Sequence, residues 1–452
     1  MQPRQVDFGS ERVHHNILSV AAPMMAAQLL NLLYNIIDRI YIGKIPGEGT
    51  MALAGLGLCF PVITMVIAFS SLFGAGGAPL CSIARGKKEI EKARDIMSNA
   101  FFMLVVTGVV LTAAGILFHR PLLYLFGASG ATYSYASDYI ILYLLGTVFV
   151  MVSLGMNPYI NSQGFARIGM KTVVLGAVIN MVLDPVFIFV LDMGVKGAAA
   201  ATVISQFFSA LWVLCFLTGK RAELTIRLTG FRPDFSCICE IAKLGLSTFS
   251  MSFTNSLVQV VCNAMLQTFG GDLYISVMTV VHSVREIAQA PVSAISEGAS
   301  PVISYNYGAD QIGRMKKAIH FMTQLGFVYT LLIWGFISFF PGFFIRIFNQ
   351  NVELVQAAVP SMHIYFFGFF MMAFQFAGQS VFKSLNKAKH AIFFSILRKA
   401  VIVVPLTLIL PRVGGLGVSG VFLAEPISNF IGGLACYITM RRTILAKLPP
   451  DK

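Results

Sequence analysis

The sequence predicts an all-α polytopic membrane protein with twelve transmembrane helices in two parallel six-helix lobes. Three observations support this fold class. Hydrophobic residues make up 56% of the 452 residues and charged residues 12%, which is about half the charged fraction of a typical soluble protein. Apolar runs near the roughly 20 residues needed to span a bilayer recur from end to end. The two halves of the chain also resemble each other.

Apolar runs between polar breaks define the predicted spans. The first run contains Asn31, Asn35 and Asp38 and is too long for a cleavable signal segment, so we expect it to be retained as a membrane span. The twelve spans are residues 16–42, 51–83, 97–118, 133–160, 172–191, 197–218, 241–269, 273–305, 318–341, 353–382, 391–410 and 417–440.

Basic residues are distributed unevenly between the connections. If the spans alternate in direction, one side receives the cluster RGKKEIEKAR (85–94), the basic residues of 219–243 and those after spans 8, 10 and 12. The other side receives only Lys44, Arg120, Lys196, Arg346 and Arg412. Because Lys and Arg accumulate in cytoplasmic loops, both termini are predicted to be cytoplasmic. The net charge of +13 then reflects topology, and we expect membrane lipids rather than nucleic acid as partners.

An internal repeat connects the two halves. Three blocks of the first half match blocks of the second half at an offset of 222 or 223 residues. The matching blocks are GAPLCSIARG (77–86) with ASPVISYNYG (299–308), QGFAR (163–167) with LNKAK (385–389), and GVKGAAAATVISQ (194–206) with GVSGVFLAEPISN (417–429). Agreement of separate blocks on nearly one offset argues against chance similarity between apolar helices.

The repeat predicts how the chain is divided. Six spans per half is an even number, so both halves enter the membrane in the same sense and are related by a pseudo-twofold axis along the membrane normal. We predict an N-lobe at 1–218, a cytoplasmic linker at 219–240 and a C-lobe at 241–452. Two such lobes around a cleft are typical of transporters that work by alternating access.

Oxygen-bearing side chains interrupt three spans of the first half. Asp38 lies in span 1, Asn180 and Asp184 lie one helical turn apart in span 5, and Ala198 and Thr202 lie one turn apart in span 6. A carboxylate inside a membrane span costs about 2.5–3.5 kcal/mol on insertion scales, so it indicates a function. Because two buried carboxylates in one site retain a proton or recruit a cation, we predict a cation-coupling site here. The alternative is that Asp38 pairs with Arg39 and that Asp184 caps a broken helix.

Other residues of the first half are predicted to assist this site. Asn31 and Asn35 lie on the same helical stripe as Asp38, and Pro185 is expected to kink the helix beside Asp184. The repeat places Leu406 at the position equivalent to Asp184. We therefore expect ion chemistry in the first half alone.

A second group of residues is a candidate lining of a substrate cavity. The carboxylates of this group could attract a cationic substrate, and its Met and Phe residues could form an adaptable wall, although such stripes are more often core. The group is Glu297, Glu425, Gln375, Met251, Met371 and Phe374. Arg285 and its neighbour Glu286 are interpreted either as a structural pair or as functional charges.

Five stretches carry a resemblance to a known family. The stretches LLYNIIDRIYIGK (32–44), GAVINMVLDPVFIF (176–189), GVKGAAAATVISQ (194–206), SPVISYNYGA (300–309) and AEPISN (424–429) resemble the multidrug and toxic compound extrusion (MATE) family. The chain most resembles the bacterial branch that contains the DinF-like and MepA-like exporters, and the similarity covers all twelve spans.

The resemblance implies export of amphipathic, mostly cationic drugs across the bacterial cytoplasmic (inner) membrane in exchange for H⁺ or Na⁺. It implies that Asp38, Asn180, Asp184 and Thr202 bind the cation, with Ala198 beside them. The chain departs from the branch with a C-lobe sodium site, because Asn255 and Gln375 stand where that branch has carboxylates. No cofactor is expected beyond the transported ion, and no metal beyond Na⁺ at the cation site. The protein is expected to be monomeric.

Two rival functions agree less well with the sequence. One is a flippase for a lipid-linked precursor, a function of fold relatives in the wider superfamily. Those relatives usually carry more spans and a cationic central cavity, whereas the charges within the predicted spans of this chain are mainly acidic. The other is an intramembrane enzyme. GVSG (417–420) fits a membrane serine-protease pattern, but no histidine follows Ser419 and the sequence has no HExxH motif, so we expect no enzyme activity.

Overall fold

Helix is the dominant structure of the chain. The computed structural model describes residues 5–46, 48–126, 128–130, 132–227, 232–348 and 352–447, and every regular element within these ranges is helical. Residues 228–231 of the predicted linker and the outermost residues of both predicted lobes lie outside these ranges. The α-helices are α1 (Val13–Gly43), α2 (Gly49–Gly86), α3 (Ile90–Leu125), α4 (Tyr133–Leu145), α5 (Thr147–Ser162), α6 (Ala166–Pro185), α7 (Gly194–Leu217), α8 (Phe235–Gly308), α9 (Ile312–Phe339), α10 (Pro341–Phe348), α11 (Val352–Phe366), α12 (Met372–Ser384), α13 (Ala388–Ile396), α14 (Val404–Ile409) and α15 (Gly417–Thr443).

Short segments of other helix types join these elements. Two are π-helical, Val186–Val190 after α6 and Leu397–Val403 between α13 and α14. Three are 3₁₀-helical, Phe369–Met371, Leu410–Arg412 and Leu445–Lys447. A wider or tighter turn in a helix leaves backbone groups without their usual partners, so such segments are frequent at functional sites.

The helices account for the predicted spans. Within the described ranges, 9 helical stretches are long and apolar enough to cross a membrane, and α4 and α5, bent by 58° about Gly146, make a tenth. Predicted spans 7 and 8 lie within α8, which contains a non-helical residue, Gly271, with φ 67° and ψ −165°. Glycine tolerates this conformation because it has no Cβ, so two helices meet there. Helix α10 was not predicted.

Residue contacts divide the chain into two units. The first unit contains the described residues of Met1–Asp7 and Ala26–Gly245. Within it α2 packs against α3 and α5, and α6 packs against α7. Small residues permit this packing: a Cβ added to Gly74 would lie 2.6 Å from the carbonyl oxygen of Gly155.

The second unit contains the described residues of Phe8–Met25 and Leu246–Lys452. Within it α15 packs against α11, α12, α14 and the π-helical segment Leu397–Val403. A Cβ added to Gly378 would lie 2.7 Å from the Sγ of Cys436, so α12 and α15 approach closely. The predicted lobe bounds of 1–218 and 241–452 stay a prediction.

Helix ends recur at the offset of the sequence repeat. Each helix end of the first half that is named here has a counterpart 222 residues later in the second half. The pairs are Gly86 and Gly308, Ile90 and Ile312, Ser162 and Ser384, and Ala166 and Ala388. Residues with a left-handed backbone recur at the same offset, Lys88 with Asp310 and Gly164 with Asn386. The repeat is therefore present in the backbone conformation at helix ends and turns as well as in the sequence.

Candidate cation site

Helix α1 supplies the first carboxylate of the candidate site. Asp38 is buried, with 8% of its surface exposed, although it lies near the end of an apolar helix. Tyr34 lies one helical turn earlier and is half-buried. Side chains four residues apart share a helix face, so Tyr34 and Asp38 are directed to the same side of α1.

Helices α6 and α7 supply the remaining predicted ligands. The amide nitrogen of Asn180 donates to Asp184 Oδ1 at 3.2 Å and lies 3.4 Å from Thr202 Oγ1. Ala198, one turn before Thr202 on α7, is fully buried. Since α6 and α7 are packed together, the predicted spacing of four residues on each helix brings these polar groups into one cluster.

The two carboxylates meet across α1 and α6. The side chains of Asp38 and Asp184 lie close enough to interact directly with each other. Asp38 Oδ1, Asp184 Oδ2 and Asn180 Oδ1 are buried and have no hydrogen-bond partner among the described residues. A buried oxygen without a partner is costly, so this cluster is incomplete without a further positive charge or donor.

This donor set fits a proton or a small hard cation. Two carboxylates at contact distance repel each other unless a proton or a cation lies between them. Carboxylate, amide and hydroxyl oxygens are also the ligands that hard cations prefer. The arrangement can therefore bind one positive charge, and that charge changes the force between α1 and α6.

Three tyrosines that sequence reasoning missed surround the carboxylates. The side chain of Tyr34 lies close to Thr202 and interacts electrostatically with Asp38 and Asp184. Tyr139 and Tyr143 of α4 are buried and stack on each other with ring centroids 6.2 Å apart. Tyr139 interacts electrostatically with Asp38, and Tyr143 interacts with Tyr34. The available signal was spacing, because Tyr34 precedes Asp38 by four residues and Tyr139 precedes Tyr143 by four.

Of the three residues predicted to assist the site, Pro185 lies next to Asp184, whereas Asn31 and Asn35 lie on the exposed side of α1. Helix α6 ends at Pro185 and continues as the π-helical segment Val186–Val190, so the helix does change geometry beside Asp184. Asn31 and Asn35 are exposed, and the Asn35 amide donates to the backbone carbonyl of Asn31 at 2.8 Å. The bond of Asn35 therefore stays within its own helix.

The candidate cavity residues do not form one group. Glu297 is exposed and accepts a hydrogen bond from Ser293, and Met251 is half-buried on α8. Near the start of α12, Phe374 packs against Phe327 and Tyr437. Beside it, Met371 is half-buried and Gln375 is buried, and its Oε1 has no hydrogen-bond partner among the residues that the structure describes.

Glu425, the remaining candidate, lies in a buried cluster of basic residues. Arg285 donates to Glu425 at 2.9 Å, Lys399 at 3.1 Å and Arg398 at 3.4 Å. We call these four residues the second-half charge cluster. Because three cations already surround this carboxylate, the geometry argues against Glu425 attracting a cationic substrate.

This cluster corrects one premise of the sequence analysis. The charges within the membrane spans are not mainly acidic, since Arg398 and Lys399 lie buried in the apolar stretch Ala388–Arg412. The signal was visible as an adjacent basic pair in SILRKAVIV (395–403). The expectation that the coupling-ion chemistry belongs to the first half alone stays a prediction.

Curated relatives agree with the sequence resemblance. The multidrug export protein MepA of Staphylococcus saprophyticus is 25% identical to the chain, over 97% of both proteins. MepA of Staphylococcus aureus strain MSSA476 is 23% identical over 95% of this chain and 94% of that protein.

Solved structures confirm the predicted fold class. An outward-facing multidrug resistance MATE family transporter matches with a TM-score of 0.92 at 23% identity, covering 99% of both chains. A MOP superfamily transporter from Pyrococcus furiosus, reported with a binding pocket of reversed polarity, also matches with a TM-score of 0.92 at 23% identity and 99% coverage of both. Structures of this family have twelve transmembrane helices in two lobes.

The family assignment rests on both halves of the chain. The sequence model of the MatE family matches residues 23–186 and again residues 248–409, one match in each half. The predictions of a multi-pass membrane protein and of a protein that is not an enzyme are thereby confirmed. With the all-helical fold, the repeated helix ends and this double match, the chain belongs to the MatE family of transporters.

Proposed function

We propose that the protein is a cation-coupled antiporter that exports amphipathic, mostly cationic compounds from the cytoplasm by alternating access. The observation that carries this proposal is the interaction between Asp38 and Asp184, together with three buried oxygens of the cluster that lack hydrogen-bond partners in the described part of the chain. The similarity to multidrug export proteins over nearly the whole chain supports the substrate class.

Coupling follows from charge neutralisation. Without a bound cation the two carboxylates repel each other, and with one they attract the same ion, so ion binding alters how α1 and α6 pack. The π-helical segment after Pro185 leaves this part of α6 with fewer regular hydrogen bonds, which lowers the cost of rearrangement. Inward movement of one charge contributes about 2.3 kcal/mol per 100 mV of membrane potential to the transport cycle.

The proposed direction of transport depends on topology. The excess of basic residues on one set of connections supports cytoplasmic termini in the bacterial cytoplasmic membrane. Asp38 and Asp184 then lie in the outer half of their spans, about 6 Å and 10 Å from the outer ends at a rise of about 1.5 Å per residue. The coupling ion would enter this site from outside.

The test is efflux from proteoliposomes under imposed gradients. Ethidium efflux is measured with a pH gradient and then with a sodium gradient, for wild type, Asp184→Asn and Asp192→Asn. Asp192 is the matched control because it lies exposed shortly after the same helix. We expect efflux driven by one gradient, lost in Asp184→Asn and kept in Asp192→Asn. Full gradient-driven efflux by folded Asp184→Asn would contradict the proposal.

A flippase for a lipid-linked precursor is the second candidate. The second-half charge cluster supports it, because buried basic side chains suit an anionic head group. A fluorescent anionic lipid reconstituted in liposomes separates the two functions. Flipping that is faster than in protein-free liposomes, together with no gradient-driven ethidium efflux, would favour the flippase.

A further inference from the structure

The second-half charge cluster is an ion network built on α8, α15 and the π-helical segment Leu397–Val403. Glu425 accepts from Lys399 Nζ with both carboxylate oxygens, at 3.2 and 3.1 Å. Arg285 also donates to the hydroxyl of Tyr365 at 2.7 Å. Arg398 donates to the amide oxygen of Asn429. Each cation is thus held by contacts from more than its own helix.

The π-helical segment explains how adjacent residues reach one carboxylate. Neighbouring side chains on a regular α-helix point about 100° apart, yet Arg398 and Lys399 both contact Glu425. The backbone at this point departs from α-helical geometry, and the hydroxyl of Ser428 donates to the backbone carbonyl of Arg398 at 3.2 Å. The altered turn therefore directs two cations to the same place.

The cluster contains more positive than negative charge. Three basic side chains surround Glu425, and a further acidic residue, Glu286, is exposed and interacts electrostatically with Arg285. With each of these five side chains counted at its formal charge, the cluster has one positive charge in excess. An unpaired charge away from water costs several kcal/mol, so a partner of opposite charge is expected.

Depth makes this imbalance more costly. Arg398 follows the start of α13 at Ala388 by 10 residues, which corresponds to about 15 Å along the span. That distance is half of the roughly 30 Å hydrocarbon core of a bilayer. The surplus charge consequently lies near the middle of the membrane.

Donor groups remain available for such a partner. The side chains of Arg285 and Arg398 keep 12% and 10% of their surface exposed, whereas Lys399 keeps 3%. The ring of His282 lies edge-on to Tyr365, and its buried Nε2 has no hydrogen-bond partner among the described residues. Two guanidinium groups and an imidazole thus offer hydrogen-bond donors beside the surplus charge.

We propose that the second-half charge cluster binds one small monovalent anion, supplied either by a free halide or by the carboxylate group of a transported compound. The anion balances the remaining charge and accepts hydrogen bonds from Arg285 and Arg398. One anionic group matches the surplus of one charge. Binding of the halide is independent of the proposed export function, whereas recognition of a substrate carboxylate rests on it.

The experiment measures binding of radiolabelled chloride to the purified full chain in detergent at fixed ionic strength. The variants are Arg398→Gln, Glu425→Gln and Arg346→Gln, the last being an arginine of α10 outside the cluster. We expect saturable binding of about one chloride per chain. Loss of a charged hydrogen bond is worth about 1.5–3 kcal/mol, so Arg398→Gln should weaken binding at least about tenfold. Glu425→Gln should strengthen it, and Arg346→Gln should leave it unchanged.

Competition distinguishes the two sources of the anion. Acetate that displaces chloride supports recognition of a carboxylate, and displacement by bromide but not by acetate supports a halide site. No saturable binding of either anion to wild type would overturn the proposal, as would equal weakening by Arg346→Gln. If both cluster variants fail to fold, wild type alone decides. Its melting temperature should rise with chloride or acetate relative to a bulky sulfonate, and equal melting temperatures would overturn the proposal.

Discussion

The two halves of the molecule place opposite surpluses of charge on one repeated backbone. In the first half Asp38 and Asp184 interact with each other, and within the described part of the chain neither forms a salt bridge with a basic side chain. In the second half three cations surround Glu425. The helix ends and turns therefore lie at equivalent positions in the two halves, whereas the buried charge is negative in the first half and positive in the second. The same kind of substitution should therefore have opposite effects in the two halves.

The largest expected effect is on Glu425. Glu425→Gln leaves three buried cations without their shared carboxylate, and breaking a buried ion network costs about 3–5 kcal/mol. We expect a large drop in the free energy of unfolding, measured by denaturant or thermal unfolding in detergent. Glu11→Gln is the control, since Glu11 is exposed and its ion pair with Arg314 should contribute less than about 1 kcal/mol. A decrease in the free energy of unfolding no larger than that of Glu11→Gln would show that the cluster does not stabilise the fold.

Neutralising one carboxylate of the first half should change the free energy of unfolding in the opposite direction. Asp184→Asn and Asp38→Asn each relieve the repulsion between the pair, so neither should lower the free energy of unfolding. Because either change alone removes the interaction, the double variant should gain less than the sum, with a coupling energy of about 0.5–3 kcal/mol. Thermal unfolding of the four proteins measures this cycle. Additive effects would show that the two carboxylates do not interact.

A smaller effect is expected at Pro185. Pro185→Ala restores a backbone donor to α6 and lets the helix continue regularly beyond this residue. We expect cation binding to be retained and efflux to slow several-fold, because the helix beside Asp184 becomes stiffer. Pro405→Ala in α14 changes a helical proline that does not border the carboxylates and serves as the control. If both variants slow efflux equally, Pro185 has no specific role in coupling.

The smallest expected effect is on Tyr34. Tyr34→Phe removes one hydroxyl close to Thr202 and the carboxylates, and a hydrogen bond from such a hydroxyl is worth about 0.5–1.5 kcal/mol. Affinity for the coupling ion, measured by the ion dependence of efflux, should fall severalfold. Tyr41→Phe is the matched control on the same helix, where Tyr41 packs edge-on against Phe189. Unchanged affinity in Tyr34→Phe would place this tyrosine outside the cation site.

Helical periodicity predicted much of this architecture from the sequence. Spacing of four residues placed Asn180 with Asp184, and the structure bonds them as that spacing predicts. Contacts between helices were harder, because periodicity fixes a face and not the partner across it. Tyr139 and Tyr143 were missed for that reason.

Local backbone geometry limited the prediction of the second half. Arg398 and Lys399 interrupt an apolar run only briefly, and regular helix geometry does not direct adjacent residues to one carboxylate. The π-helical segment that does so has no pattern in hydrophobicity alone. The bend at Gly146 and the change of direction at Gly271 were likewise invisible to counting apolar residues.

The recurrent helix ends carry a consequence for the history and the engineering of this protein. The offset stays at 222 from Gly86 to Ala166 and becomes 223 at Gly194, so the second copy of the repeat is one residue longer than the first over this stretch. That residue falls in the later part of the region, before Gly417. The stretches Ala166–Val190 and Ala388–Arg412 are each 25 residues long, so exchanging one cassette for the other keeps the length of the chain. A chimaera that carries the first cassette twice would present an acidic helix in both halves without altering the register of any other span.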